Sequence, residues 1–292
     1  MHPRLAWAAG FCLVAAVFPS SSSAAEPDAG TGPRGNPARA RVLVYNIHYG
    51  QGMDGAYDLE RLAAVIRAAE PDLVALQEVD VGVRRSGRVH QLLRLGELTG
   101  LTARFGPTQH YEGGLFGNGV LTRWPILDEE IHPLPYTEAT PERQTYPRGA
   151  LAITVRAPDG LPLRFVSTHF QHNLEEDRVA EAREINRLFA PDPEGPRAAP
   201  RTILAGDVNA TPESEPVSIL ASRWFHAIDA EQAPSAPSDQ PRSRIDTVFC
   251  RPGTAFRMIS CQVLPEAMAS DHRPVLAVFE LLAPEAAKPA TR

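Results

Sequence analysis

Five short apolar runs in this chain each meet a cluster of polar residues at one end, a recurrence that limits the fold more than any other feature. Val42–Tyr45 runs into Asn46, Leu73–Leu76 into Gln77 and Glu78, Phe165–Thr168 into His169, and Ile203–Ala205 into Gly206, Asp207 and Asn209. The fifth run, Val275–Phe279, is preceded by Ser270, Asp271, His272, Arg273 and Pro274, so a carboxylate stands next to an imidazole. Apolar runs of this length, bounded by turn-forming residues, read as buried strands. Five strands that each carry polar side chains to an end imply one shared site. The Asp271–His272 pairing suits a site that holds a metal and a phosphate together.

The chain has 292 residues, of which 43% are hydrophobic, enough for one large domain with a single core, and no internal repeat is visible. Residues 1–25 read as an export signal: His2 and Arg4 make a weakly basic start, Leu5–Phe18 is an apolar run short for a bilayer, and Ser23, Ala24 and Ala25 suit cleavage. An uncleaved anchor is the alternative. The expected location is therefore secreted or periplasmic. Residues 26–40 read as a flexible Gly-, Pro- and Ala-rich leader, 41–282 as the domain and 283–292 as a disordered tail.

Removing residues 1–25 takes away one Arg and no acid, which leaves 28 basic against 35 acidic residues, a charge of −7. That balance offers no basic track for a polyanion. Lys288 is the only lysine, so cationic work falls to arginine, whose planar fork suits phosphate oxygens. Cys250 and Cys261 lie on runs that read as consecutive strands of a hairpin, a placement that leaves a disulfide open.

Between the five runs, Asp58–Ala69 reads as a helix capped by Asp58 with Leu59, Leu62, Ala63 and Ile66 inside, and His90–Gly100 as a second with Leu92, Leu93 and Leu95 inside. Glu175–Phe189 reads as a charged amphipathic helix and Pro216–Ala221 as a short one. Val120–Thr122, Ala150–Arg156, Ile245–Phe249 and Met258–Leu264 read as further strands. Short strands with helices between them argue for two sheets packed face to face with helices outside. A doubly wound dinucleotide fold is excluded, because Asn46, Ile47, His48 and Tyr49 stand where a pyrophosphate loop needs glycines.

The segments Tyr45–His48, Leu76–Val79, Gly117–Arg123, Ser167–Phe170, Gly206–Asn209, Arg244–Asp246 and Ser270–Pro274 resemble, in order, the motifs of the endonuclease/exonuclease/phosphatase superfamily. That family includes DNase I-like nucleases, abasic-site endonucleases, sphingomyelinases and inositol phosphatases. The resemblance implies an α/β fold, a four-layered sandwich of two mixed, mainly antiparallel sheets with helices outside, and one metal-dependent phosphoesterase site.

Under this resemblance Asn46, Glu78 and Asp271 form an oxygen-rich set for Mg²⁺, with Mn²⁺ as a substitute. Asp207 orients or deprotonates the attacking water, and Asn209 donates to the phosphate or holds a second metal; as residues the two also suit an Asx turn. His272 donates to a nonbridging oxygen while Asp246 orients its ring and favours the charged form. An Asp in so apolar a strand needs a partner in any case. His169 meets the phosphate from the other side, with Glu112 as its candidate support. Asn118 contacts substrate, supports the site or makes a turn, Arg84, Arg85 and Gln91 line a pocket or a solvated face, and Arg148 clamps phosphate or sits on the surface. Gln171 and His172 add a ligand or read a head group.

The expectation is a monomeric, exported, Mg²⁺-dependent phosphoesterase that uses activated water and forms no covalent intermediate. Its substrate is expected to be a phosphodiester of a small molecule or a lipid head group, the membrane surface being met only through the substrate. A secreted nuclease is the alternative, weakened because the loop Ala230–Ser243 lacks aromatic residues to stack on bases. A noncatalytic phosphate-ligand binding protein on the same fold is the alternative of another class.

Overall fold

The computed structural model describes residues 37–191 and 200–283. The expected signal, most of the leader and nearly all of the tail lie outside the described residues. Among those described, no helix is long and apolar enough to cross a membrane. The first strand begins at Arg39, two residues before the expected domain start.

Alternation along the strands sets the layers, since successive side chains of a strand point to opposite faces. Along β1 (Arg39–Asn46), Val42 and Val44 enter one core while Leu43 and Tyr45 enter another. With β2 (Leu73–Val81), β3 (Thr102–Tyr111), β4 (Gly114–Thr122), β11 (Phe256–Val263) and β12 (Val275–Leu281), β1 builds a six-stranded sheet in the order β11-β12-β1-β2-β4-β3. The second sheet takes β5 (Ile126–Pro133), β6 (Gly149–Arg156), β7 (Pro162–His169), β8 (Arg201–Asp207), β9 (Phe225–Ala227) and β10 (Asp246–Arg251) in the order β5-β6-β7-β8-β10-β9.

The two sheets share one plan. Each has a single parallel pair at its centre, β1 with β2 and β7 with β8, flanked on both sides by antiparallel strands. β1 faces β8 and β2 faces β7 across the interface, which is filled by Val42, Val44, Ala75, Phe165, Ile203, Val248 and Phe279 among others. Helices α1 (Leu59–Ala69) and α2 (Gln91–Thr99) cover the outer face of the first sheet through Leu62, Ile66, Leu92 and Leu95. Helices α3 (Glu175–Phe189) and α4 (Glu215–Ala221) cover the second through Ala182, Ile185, Val217 and Leu220. The result is the expected α/β four-layered sandwich.

Local chemistry explains the helix ends. The Asp58 side chain accepts from Arg61 N at 2.9 Å, and Gly100 ends α2 with φ 72°, a conformation glycine adopts freely. Leu93, expected inside, is 53% exposed, because it lies on the opposite face of α2 from Leu92 and Leu95. Cys250 and Cys261 are both free thiols, and the hairpin expected to join them does not exist: β10 belongs to one sheet and β11 to the other. Both cysteines pack into the core between the sheets.

The close approach of β7 and β8 depends on a missing side chain. A Cβ on Gly206 would stand 2.1 Å from the carbonyl oxygen of Thr168 on the paired strand, inside van der Waals contact with backbone that cannot rotate away. Gly206→Ala is therefore expected to lower stability by about 2 kcal/mol or more. Urea unfolding checks this as a lower midpoint with an unchanged slope.

Candidate active site

Strand register assembles the site. His169 ends β7 directly beside Asp207 at the end of β8, and Asp246 at the start of antiparallel β10 stands directly across from Asp207. Three strands thus present a His, an Asp and an Asp in one row. In the facing sheet Asn46 ends β1 beside Gln77 on β2, and the segment holding Asp271 and His272 enters β12, the other neighbour of β1. Parallel pairs end at the same edge, and antiparallel neighbours begin there, so both sheet centres open onto one place.

Glu78 and Asn209 are two of the eight described non-glycine residues with positive φ, a backbone conformation that side chains disfavour. The β2–β4 register shifts between Leu76 and Val79, and Glu78 in that bulge has φ 60°. Gln77 stays fully buried toward Ser167, while Glu78 lines the cavity. Asn209 has φ 48° and its N–H donates to Asp207 Oδ1 at 2.9 Å, closing an Asx turn that fixes the carboxylate, while its own amide donates to Phe170 O at 3.0 Å. Strain of this kind, held by surrounding structure, concentrates at functional sites.

Asn46 links the sheets: its Nδ2 donates to Glu78 Oε1 and to Asp207 Oδ2, each at 3.1 Å, while its Oδ1 accepts from His48 N at 3.1 Å. Two histidines flank Asp207 Oδ2, His169 Nε2 at 3.6 Å and His272 Nε2 at 3.8 Å. On its other nitrogen, His272 Nδ1 meets Asp246 Oδ2 at 2.9 Å, and Ser235 Oγ donates to the same oxygen at 2.6 Å. Burial opposes charge on His272, but Asp246, Asp207 and Asp271 outweigh it and raise the pKa to about 10. His169 is the opposite case. Burial, with the nearby charge of Arg148, holds it well below the usual histidine value. Arg148 Nη1 lies 3.1 Å from His169 Nδ1; since arginine only donates, Nδ1 is bare and the proton sits on Nε2, facing Asp207. Burial first, and then Asp246, push Asp207 up to about 7. A carboxylate between a charged and a neutral imidazole N–H can take a proton from water near neutral pH, with both rings placed to donate to phosphate oxygens.

These residues open into a cavity of about 330 Å³ also lined by Arg85, Tyr111, Phe116, Tyr146, Arg148 and His172. Arg85 makes a bidentate pair with fully buried Asp80, both bonds 2.9 Å, and its guanidinium lies over the rings of Tyr49 at 3.7 Å and Tyr111 at 4.5 Å. Arg148 is a buried wall residue rather than a surface one. Tyr146 and His172 stack with ring centroids 5.6 Å apart.

Several expectations are corrected here. Asn118 does not line the cavity; it is buried and donates to Gly149 O at 2.8 Å, tying β4 to β6. The Arg84 side chain is 72% exposed, 3.7 Å from Glu112, and also lies off the cavity. Glu112 accepts from Arg85 N at 3.0 Å in the β3–β4 turn, so the partner of His169 is an arginine and not a carboxylate. Gln91 is buried, accepting from Asp80 N at 2.9 Å. Aromatic side chains absent from the loop before Asp246 reach the cavity from elsewhere: Tyr111, Phe116 and Tyr146 arrive from β3, β4 and the segment before β6. That loop supplies Ser235 instead.

A divalent ion fits the donor set in part. Asp207, Asp246 and His272 bring ligand atoms within 4.8 Å of one another, a set able to hold a metal, yet Asp246 Oδ2 and His272 Nδ1 already bond each other. Glu78 and Asn46 touch, and Asp271 joins them through Ser270, whose hydroxyl donates to Asn46 O at 2.7 Å and lies 3.4 Å from Asp271 Oδ1. These are hard oxygen donors, with His48 Nε2 3.8 Å from Asp271 Oδ2.

The model of the Endonuclease/Exonuclease/phosphatase family matches residues 43–272. The chain belongs to this family. Its members are hydrolases of phosphoester bonds, and its enzymes generally depend on a divalent metal. The structure is similar to an endonuclease/exonuclease/phosphatase from Beutenbergia cavernae DSM 12333, with 27% identity, TM-score 0.69, and 84% of this chain and 72% of that one covered. It also resembles a mannosyl-6-phosphatase from Bacteroides thetaiotaomicron VPI-5482, with 20% identity, TM-score 0.65, and 84% and 100% covered. The human Nocturnin catalytic domain with bound sulfate is a further neighbour, with 20% identity, TM-score 0.62, and 84% and 95% covered. No curated protein sequence matches the chain.

The Asp246–His272 contact carries a pH signature. Because the folded pKa of about 10 lies above the ordinary histidine value of 6.5, the pair's contribution to stability is complete below about pH 6.5 and is lost as pH rises through about 10. In chelator-treated protein, Asp246→Asn is expected to bring the His272 titration down toward the ordinary histidine value. NMR titration of the ring checks this, and an unmoved midpoint would refute the pairing.

Proposed function

We propose that this protein is an exported, Mg²⁺-dependent phosphoesterase that cleaves a P–O bond with activated water, acting on a phosphoester of a small molecule or lipid head group. The observation that carries the reading is the convergence on Asp207 of Asn46, His169 and His272 at the mouth of one cavity. Glu78, Asn46 and Asp271 would hold the Mg²⁺, with Mn²⁺ as a substitute; Asn46 would turn its amide to present Oδ1. A bound ion there would supply charge neutralisation to the phosphoester.

The remaining steps belong to side chains of this chain. Asp207, fixed by Asn209 N and Asn46, takes the proton of the attacking water. His272 donates from its charged ring to a nonbridging oxygen, steadied by Asp246 and Ser235. His169 donates from Nε2 on the other side. A cavity of about 330 Å³ has the size for a head group or a single nucleotide unit, and the acidic balance of the chain argues against a polyanion. The aromatic lining favours the nuclease reading on single-stranded substrates, and the test below separates the two.

Glu78→Gln is expected to raise the metal concentration needed for half-maximal hydrolysis of an activated phosphodiester, whereas Asp207→Asn lowers turnover by about 10³-fold with a smaller change in metal requirement. Equal loss of metal binding in both variants, read by calorimetry, would overturn the assignment. In a competition panel, small and lipid head-group esters are expected to turn over faster than single-stranded or duplex DNA, with weak salt dependence. Plasmid nicking that collapses steeply with salt, beside poor head-group hydrolysis, would favour the nuclease.

A further inference from the structure

Arg148 is 5% exposed, yet among the described residues no carboxylate oxygen forms an ion pair with it. Arg201 and Arg244, similarly buried, hold Asp159 at 2.6 Å and Asp229 at 2.8 Å. Arg148 instead donates to two imidazole nitrogens, His169 Nδ1 at 3.1 Å and His172 Nδ1 at 3.3 Å, both neutral acceptors. Its Nε is buried with no partner at all. A guanidinium has five N–H groups, so most of this one's hydrogen-bonding capacity is unused. Three carboxylates act on its charge, Glu181, Glu78 and Asp207, none within ion-pair distance; Glu181 is fully buried, accepts from Gln171 N at 2.9 Å, and is pushed up to about 8 by burial, which weakens its hold on the arginine. A buried arginine with no carboxylate in contact is costly, and this one lines the cavity.

Position separates it from the hydrolytic centre. The His169 ring lies between them, with Arg148 on Nδ1 and Asp207 on Nε2. Arg85, the cavity's other arginine, is already satisfied by Asp80. We propose that Arg148, oriented by His169 and His172 beside Tyr146, is a second anion subsite, and that the substrate carries a further phosphate or carboxylate within one small molecule of its scissile phosphoester. This rests on the phosphoesterase reading of the site and narrows its substrate class. Free bisphosphorylated polyols and phosphorylated lipid head groups share the required chemistry.

Sulfate, which cannot be hydrolysed, tests the subsite without turnover. In chelator-treated wild-type protein, sulfate is expected to shift the Arg148 Nε–H resonance in a saturable way, and Arg148→Met to weaken sulfate binding about tenfold or more, the usual scale for a charged hydrogen bond. A wild-type resonance unmoved by saturating sulfate overturns the proposal, whether or not the variant folds. In kinetics with metal, matched activated phosphodiesters with and without a second phosphate are compared, the former both free and in vesicles. The second phosphate should raise kcat/KM, and Arg148→Met should shrink that advantage about tenfold; an advantage absent in wild type or unchanged in the variant also overturns it. Failure of both esters to react, with the sulfate shift intact, would instead count against the phosphoesterase reading alone.

Discussion

The amide of Asn46 is the contact on which the site depends. It ends a strand of one sheet and donates to a carboxylate from each sheet, Glu78 and Asp207, both at 3.1 Å. A buried acid, Asp207, and a half-buried one, Glu78, held to one amide repel each other, and a double donor between them allows the sheets to close. The core between the sheets brings the edges together; Asn46 makes their meeting at the open end tolerable.

Charge around that seam is organised by pairs of unlike chemistry. Asp207 sits between two histidines that reach opposite protonation states, one beside a carboxylate and the other beside an arginine. Burial opposes charge on both rings; carboxylates together outweigh it at His272, whereas at His169 burial is the larger cause and Arg148 adds to it. The same economy appears at Arg85, whose charge is answered by Asp80 and whose faces are covered by aromatic rings, leaving a flat platform in the cavity wall.

Much of this was legible along the chain. Period-2 alternation in Val42–Tyr45 and the apolar stripe of Glu175–Phe189 declare sheet and helix without tertiary information, and the polar residues at strand ends mark the edge where chemistry gathers. Asp246 in an apolar strand predicts a buried partner by cost alone. β3 and β5 were not legible, because their sequences are polar and their burial is intermediate or low. Hence Tyr111 could not be placed.

What the sequence alone determined is the set of elements, the layered architecture and the central polar groups Asn46, Glu78, His169, Asp207, Asp246 and His272, since these rest on local periodicity and on residues adjoining strands. Only the tertiary structure decided which side chains meet: that Arg148 and not Glu112 holds His169, that Ser235 steadies Asp246, that Asn118 turns toward Gly149 and that the two cysteines belong to different sheets. The reason is physical. Periodicity carries the direction of a side chain relative to its own strand, whereas a partner from 11 to 161 positions away, as with Ser235 to Asp246 or Asn46 to Asp207, depends on register and packing between strands that no local pattern encodes.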